Sequence, residues 1–338
     1  MKKRGILLVN LGTPDSTAVP DVRKYLREFL MDKRVVDIPA VLRWILVNGI
    51  IAPFRSPKSA AEYRKLWDER GSPLKYYTDD VTELLKKKLS KEYSVKFAMR
   101  YQSPSIQSAM DAFRKERVAS IHVIPLFPQY ASATTGSVID KVMEIAKEWQ
   151  IIPEIKFTSQ FLEKKLFIET IVDQAKKFVE EEEYDHHIFS YHGLPERQIR
   201  KGSYGNYCKL GKCCSTLNES NRYCYRAQCF ETTRLIAKQM NIPKEKYTVC
   251  FQSRLGKDPW VQPYTEDTLK ELAKQGKKKV LAFSPAFVSD CLETTIEVGE
   301  TYQEEFLEEG GEKWDLVPSL NAEDKWVECL KEIVLEEA

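Results

Sequence analysis

Two side chains in the second half of this 338-residue chain have the properties that first-row metal chemistry requires. His192 follows the run His187-Ile188-Phe189-Ser190-Tyr191, which reads as a strand, and stands where that strand gives way to Gly193-Leu194-Pro195. Imidazole ligates first-row metals and is the one side chain that titrates near neutrality unaided. The plainer alternative is a histidine closing a strand with its ring nitrogens satisfied by hydrogen bonds. Glu293 follows Ser289-Asp290-Cys291-Leu292 and opens a helix-like stretch on which Glu297, Glu300 and Glu304 recur at helical spacing. Such a stripe is usually a solvated acidic face. Here it starts at a loop that leaves a strand, where a line of carboxylates can deliver a divalent cation or remove protons, and Glu293 and Glu297 lie nearest that start. His122 falls inside a strand and the pair His186-His187 opens one, so all three are expected to be structural.

Three further segments could take part. The loop Phe251-Gln252-Ser253-Arg254-Leu255-Gly256-Lys257-Asp258-Pro259-Trp260 gathers two cations, a flexible glycine and an indole after a strand. It suits a flat anionic ligand, with cations for its carboxylates and Trp260 for its face, or equally a surface loop anchored by one tryptophan. The stretch from Val35 to Phe54 is too short and interrupted to span a bilayer. It reads as a core helix, an apolar lip over a pocket, or a surface that touches membrane. Cys208, Cys213, Cys214, Cys224 and Cys229 crowd one polar segment. Four thiolates on one loop can bind Zn²⁺ or an iron–sulfur cluster, and the lack of paired C-x-x-C spacing disfavours zinc. Cys250, Cys291 and Cys329 stand apart, and Cys291 is expected to line the pocket near Glu293.

These residues need a scaffold. Apolar residues make up 43% of the chain, enough for a sizeable core, and 52 basic against 50 acidic residues leave a net charge of +2, which argues against a nucleic-acid binder. The opening MKKRGILLVNLG has too short an apolar run for a signal peptide, and no stretch reaches the roughly 18 to 20 apolar residues of a membrane span. A cytoplasmic protein is expected. Short apolar runs (5–11, 94–100, 121–126, 152–157, 187–191, 247–251 and 279–283) alternate with amphipathic stretches such as 79–89, 138–150, 165–182, 229–240 and 265–275. That rhythm predicts parallel sheets covered by helices.

A weak repeat runs through the chain. Ile6-Leu7-Leu8-Val9-Asn10-Leu11-Gly12-Thr13-Pro14 and Ile188-Phe189-Ser190-Tyr191-His192-Gly193-Leu194-Pro195 are both strands running into Gly-x-Pro. Later, Phe127-Pro128-Gln129-Tyr130-Ala131-Ser132 corresponds to Ser284-Pro285-Ala286-Phe287-Val288-Ser289. Two similar α/β halves with a cleft between them follow, with these loops at the carboxyl ends of strands, where ligands sit in open α/β sheets. His192 takes the place of Leu11, and Glu293 falls opposite Gly136, so the chemistry is expected in the second half.

At this point the sequence resembles a family, the ferrochelatases. Ser190-Tyr191-His192-Gly193-Leu194-Pro195-Glu196 is similar to the family motif that carries the active-site histidine. Phe251-Gln252-Ser253-Arg254-Leu255-Gly256 with Pro259-Trp260 resembles the next block. The segment from Phe283 to Thr294 resembles the block with the essential glutamate. Asn10-Leu11-Gly12-Thr13-Pro14, Gly71-Ser72-Pro73-Leu74, Arg100-Tyr101 and the segment from Pro128 to Ser137 match in the first half. The resemblance implies two similar Rossmann-like domains, about 1–160 and 161–338, each a parallel sheet flanked by helices, with the active-site cleft between them. It implies insertion of Fe²⁺ into protoporphyrin IX with release of two protons, the last step of haem formation. His192 and Glu293 would act on the metal and the protons, Glu297 would be the next carboxylate of an acidic conduit, and Leu11, Arg100, Tyr130, Ser132 and Trp260 would contact the porphyrin. The apolar segment 35–54 corresponds to the family's lip over the porphyrin, which can touch membrane at its periphery. Some members hold a [2Fe–2S] cluster. In this chain the cysteines lie in an internal insertion, about 203–229, and Cys208, Cys214, Cys224 and Cys229 are the expected ligands, with Cys213 as the alternative to Cys214. Two other functions share such a fold: a haem or porphyrin carrier without turnover, and a chelatase for another metal or tetrapyrrole.

Overall fold

The computed structural model describes residues 3–254, 256 and 258–336. It divides into two compact units: Met1–Phe127 with Ala131–Ser159 and Val327–Ala338, and Pro128–Tyr130 with Gln160–Trp326.

The first unit is built on four parallel strands: β1 (Arg4–Gly12), β2 (Tyr93–Tyr101), β3 (Ser120–Pro125) and β4 (Glu154–Phe157), in the order β2-β1-β3-β4. β1 lies between two neighbours and buries both its faces, which is why it reads as a continuous apolar run rather than an alternating one. Its side chains pack against helices on the sheet's face. Leu7, Val9 and Val123 meet Met110 and Phe113 of helix Ile106–Glu116 and Val142 of helix Ser137–Ala146. Glycine is required at the end of β1: Gly12 has φ +120°, and a Cβ there would fall 2.1 Å from the Tyr101 carbonyl oxygen.

The second unit repeats the plan with β5 (His186–His192), β6 (Tyr247–Gln252), β7 (Lys279–Phe283) and β8 (Lys313–Leu316), again parallel and in the order β6-β5-β7-β8. Its core joins Ile188, Cys250, Val280 and Ala282 to Leu269 and Leu272 of helix Thr265–Lys274. In each unit the first strand is the point where the winding reverses, and the carboxyl end of such a strand is where open α/β sheets place their ligands. His192 is the last residue of β5.

The seven strands read from the sequence all form. β8 was missed, because Lys-Trp-Asp-Leu is only four residues long and half charged. It pairs at the edge through Trp314, which is buried. Two helices start earlier than the apolar periodicity suggests. Pro73–Lys88 begins on Pro73, whose fixed φ suits a first helical turn, and Tyr225–Gln239 begins directly after Cys224. The segment after Cys291 is helical, but it is wound as a π-helix over Leu292–Thr301, and the matching segment of the first unit, Ser132–Gly136, is a π turn. Of the three readings of 35–54, the core helix is the one the structure excludes. Helix Ala40–Trp44, the π-helical stretch Ile45–Ile51 and the start of helix Ala52–Leu66 bury Val47 and Ala52 but leave Val41 71% and Phe54 79% exposed, with Leu42, Trp44, Ile45 and Ile50 also outward. No helix among the described residues is long and apolar enough to cross a membrane.

The three histidines expected to be structural are buried, and for two of them burial disfavours the charged form. His122 shares a hydrogen with Thr158 at 2.8 Å. His186 and His187 open β5, and burial, aided by nearby positive charge, lowers both from 6.5 to about 4. Groups lowered on folding take up protons first in the unfolded chain. Their contribution is therefore complete above about pH 6.5 and is lost as pH falls toward about 4, up to about 3 kcal/mol each. The double substitution His186→Gln, His187→Gln should shrink the difference in thermal midpoint between about pH 7.5 and about pH 5. A difference as large as the wild type's would show that other groups carry the acid sensitivity.

Candidate active site

The second unit brings three strand ends together, those of β5, β6 and β7. The backbone pairs His192 with Gln252, and the Gly193 N–H donates to the Gln252 carbonyl at 2.8 Å. A Cβ on Gly193 would lie 2.8 Å from that carbonyl and 3.1 Å from the Trp260 ring, so only glycine fits. The buried Tyr225 hydroxyl donates to the His192 carbonyl at 2.9 Å and fixes the strand end from the other side. The imidazole Nδ1 lies 2.7 Å from the Gly193 carbonyl, which can only accept. Nδ1 therefore carries the hydrogen, and Nε2 keeps its lone pair for a proton or a metal.

Gln252 links this strand end to the π-helix. Its Oε1 accepts from Ser190 Oγ at 2.6 Å, which orients the amide, and Ser190 in turn meets Thr265 at 2.9 Å. Its Nε2 donates to the Glu293 carbonyl at 3.0 Å and to Glu297 Oε2 at 3.1 Å. Glu297 also accepts from Ser253 Oγ, at 2.7 and 2.5 Å from its two oxygens, and from the Tyr302 hydroxyl at 3.2 Å. Burial raises the Glu297 pKa. Ser253, the charge of His192 and Gln252 oppose that rise, and Glu293 adds to it. His192 and Glu293 thus both lie within electrostatic reach of Glu297.

The start of the π-helix is tied down. Asp290 accepts from the Ser319 N–H at 3.1 Å and from Asn321 Nδ2 at 2.6 Å, and Cys291 and Thr294 form a reciprocal cap. Buried Cys291 sits at this cap, its thiol pushed up by burial and by Glu293. Further along, buried Trp314 donates Nε1–H to the Val298 carbonyl at 2.9 Å, and Gln303 Nε2 donates back to the Trp314 carbonyl at 2.8 Å. The wide π winding is uncommon and concentrates at functional sites.

The sequence did not assign roles to Gln252, Ser253, Tyr302, Trp314 or Asp290. Gln252, Ser253 and Asp290 lie inside the quoted motifs, a signal that could have found them. Tyr302 and Trp314 carry none.

The residues expected at the porphyrin are spread over both units. In the first, Arg100 is already paired. Its Nη2 lies 2.7 Å from Asp32, its Nε donates to Ser137 Oγ at 2.7 Å, and its guanidinium stacks on Tyr101. Burial works against the charge on Asp32, but Ser137, the Arg34 N–H, Arg100 and Tyr101 hold its carboxyl below the usual range. Ser132 accepts from Arg34 at 3.1 Å, and the Leu11 N–H donates to the Asn10 side chain at 2.8 Å. In the second unit, the Tyr130 N–H donates to Gln228 at 2.6 Å and its ring meets Tyr223 edge-on. Trp260 packs beside Gly193, next to His192. Leu255 and Lys257 of that loop lie outside the described residues.

The cysteines of the insertion meet in pairs. Cys213 and Cys214 sulfurs are 3.8 Å apart, and Cys224 donates its thiol hydrogen to Cys214. That bond, with Arg226, holds Cys214 low, while Cys224 is pushed up. Cys208, Cys213 and Cys224 line a cavity of 170 Å³ with Tyr204, Tyr207 and Tyr223. Cys229 is fully buried on helix Tyr225–Gln239 against Tyr225. Among the described residues, no group of three or more His, Cys, Asp or Glu side chains is placed so that it could hold a metal ion.

Comparison with known proteins agrees with this architecture. The chain is similar to SirB from Bacillus subtilis with Fe³⁺ (TM-score 0.52, 14% identity, 99% of this chain and 96% of that one). It is also similar to the sirohydrochlorin chelatase SirB from Bacillus subtilis subspecies spizizenii in complex with cobalt (TM-score 0.55, 11% identity, 99% and 95%). At such identities these likenesses speak to fold alone. In sequence the chain is 42% identical to a ferrochelatase of Legionella pneumophila (strain Lens) over 335 residues, covering 99% of both chains. It is 42% identical to a ferrochelatase of Coxiella burnetii (strain Dugway 5J108-111) over 333 residues, covering 97% of this chain and 92% of that one. The ferrochelatase family model matches residues 3–338. With a match of that extent and relatives this similar from end to end, the chain belongs to the ferrochelatase family.

Proposed function

We propose that this protein inserts Fe²⁺ into protoporphyrin IX, releasing two protons, to form protohaem. One observation carries the reading beyond family membership: an imidazole with its Nε2 lone pair available stands at the reversal strand of the second sheet, within electrostatic reach of the Glu297 carboxylate. A free-base porphyrin is flat, holds two N–H protons and hides its lone pairs, while Fe²⁺ must shed water. Metallation needs a proton acceptor and a hard ligand at fixed positions. His192 Nε2 and the Glu293 carboxylate divide these two tasks, and Glu297 adds negative charge beside them. Trp260 offers an indole face next to His192, and Leu11, Arg100, Tyr130 and Ser132 are the remaining expected porphyrin contacts. The exposed side chains of 41–54 form the apolar lip and give a cytoplasmic protein a surface for peripheral membrane contact.

The assay is anaerobic. Purified protein is mixed with protoporphyrin IX and Fe²⁺, and the change from the free-base to the metallated absorption spectrum is followed. His192→Ala should lower the rate by at least about 100-fold while porphyrin binding persists. A variant that turns over normally would remove His192 from the chemistry. Stoichiometric porphyrin binding by the wild type with no metallation would favour a carrier, and insertion of another metal in preference to Fe²⁺ would favour a different chelatase.

The insertion is read as a [2Fe–2S] site on Cys208, Cys214, Cys224 and Cys229, with Cys213 as the alternative to Cys214. The donor set suits such a group: thiols in contact, one of them held toward the thiolate, beside a cavity. Cys229 fits less readily than Cys213, being buried within a helix. Protein purified without oxygen should absorb beyond about 400 nm and contain iron and acid-labile sulfide, and Cys224→Ser should abolish all three. A colourless protein free of iron and sulfide would exclude the cluster.

A further inference from the structure

Glu297 is the obvious next ligand along the acidic helix, yet its carboxylate is occupied. An ionised carboxylate offers about four lone-pair sites on two oxygens. Here Oε1 meets Ser253 Oγ at 2.7 Å and the Tyr302 hydroxyl at 3.2 Å, and Oε2 meets Ser253 Oγ at 2.5 Å and Gln252 Nε2 at 3.1 Å. The single Ser253 hydrogen serves one oxygen at a time, but Oγ stands against both. Gln252 and Tyr302 are each 2% exposed, and the Gln252 amide is pinned by Ser190, so two of the three donors cannot swing away. Hydrogen bonds to a carboxylate are among the stronger ones in proteins.

Ser253 reaches this position at a cost to its backbone. Its φ is +65°, a conformation that residues other than glycine, asparagine and aspartate seldom adopt. That geometry turns the chain immediately after β6 and brings Oγ to the carboxylate. Gln252 ties the same π-helix through the Glu293 backbone carbonyl, while the Glu293 side chain meets the Cys291 thiol and stays outside the set of donors that holds Glu297.

Resting on the reading of this site as a metallation centre, we infer that Ser253 is a positioning residue that, with Gln252 and Tyr302, withholds the Glu297 carboxylate from the incoming Fe²⁺. Glu297 then serves as an immobile negative charge, and Glu293 is the carboxylate that takes the metal. The device prevents a second carboxylate from trapping Fe²⁺ in a stable chelate before it reaches the porphyrin. Interactions that stabilise a bound ground state more than the transition state lower KM and kcat together.

Three variants test this under anaerobic conditions, with Fe²⁺ varied at saturating porphyrin. Ser253→Gly removes the hydroxyl and accepts the positive φ. Ser253→Asn restores a donor and tolerates the same backbone. Tyr302→Phe removes one donor without loss of volume. Ser253→Gly should lower kcat and the KM for Fe²⁺ together, each by about tenfold, the value of one hydrogen bond to a charged group. Tyr302→Phe should move both in the same direction by less, and Ser253→Asn should return both toward wild type. General damage to the site would lower kcat without lowering KM. An unchanged or raised KM for Fe²⁺ in Ser253→Gly and Tyr302→Phe, or no recovery in Ser253→Asn, overturns the inference. Should Ser253→Gly not fold, the fall in KM for Tyr302→Phe decides alone. The wild type, assayed alongside, separates the two levels: a wild type that does not metallate defeats the functional reading, and one that metallates while its variants keep KM defeats only the role of Ser253.

Discussion

The site of the second unit depends on how closely β5 approaches β6 at their carboxyl ends. Gly193 donates to the Gln252 carbonyl, and the absence of a Cβ on Gly193 is what permits the approach. With His192 and Gln252 in register, the Gln252 amide serves as a crosspiece. One end is fixed by Ser190 and the other holds the Glu293 carbonyl and Glu297. Residues far apart in sequence thereby share one set of coordinates. A buried amide has this effect only when its donors and acceptors are satisfied, because an unpaired one would cost more than the link contributes.

The π-helix is the second requirement. Its winding is rare and persists where the surroundings support it. Here the support comes from outside the helix. Asp290 holds the entry through Ser319 and Asn321, and Trp314 and Gln303 exchange hydrogen bonds between the helix and β8. The short edge strand β8 thus does more than extend the sheet, since it presents the indole N–H that meets a helix carbonyl.

The first unit shows the same strand order with a different polar centre. Its hydrogen bonds converge on half-buried Asp32, which accepts from Arg100, Tyr101 and Ser137 and from the Arg34 backbone. That arrangement joins the segment after helix Val19–Leu30 to β2 and to the helix that follows the π turn Ser132–Gly136. Asp32, Arg100 and Tyr101 are consumed by one another there. The imidazole and carboxylates expected to carry chemistry lie in the other unit, where the repeat places His192 opposite Leu11.

The parts of this protein that depend on residue type and local period were readable in the sequence. Seven parallel strands, their alternation with helices, the repeated strand running into Gly-x-Pro, and the candidacy of His192, Glu293 and Glu297 all follow from side-chain chemistry at known spacing. β8 escaped because four half-charged residues carry too little periodic signal. The stretch 41–54 stayed open between a core helix and an outward face, because an apolar run looks the same whether it is buried or presented. Tertiary structure alone decided the rest: which imidazole nitrogen keeps its lone pair, that the helix after Cys291 winds as a π-helix, and that Ser253, Gln252 and Tyr302 converge on Glu297. Those facts arise from contacts between residues more than forty positions apart in the case of Ser253 and Gln252. They also arise from a backbone carbonyl whose direction no side-chain pattern encodes. Composition and spacing specify which groups are present, whereas hydrogen-bond direction and close backbone approach specify which of them are left with capacity to react.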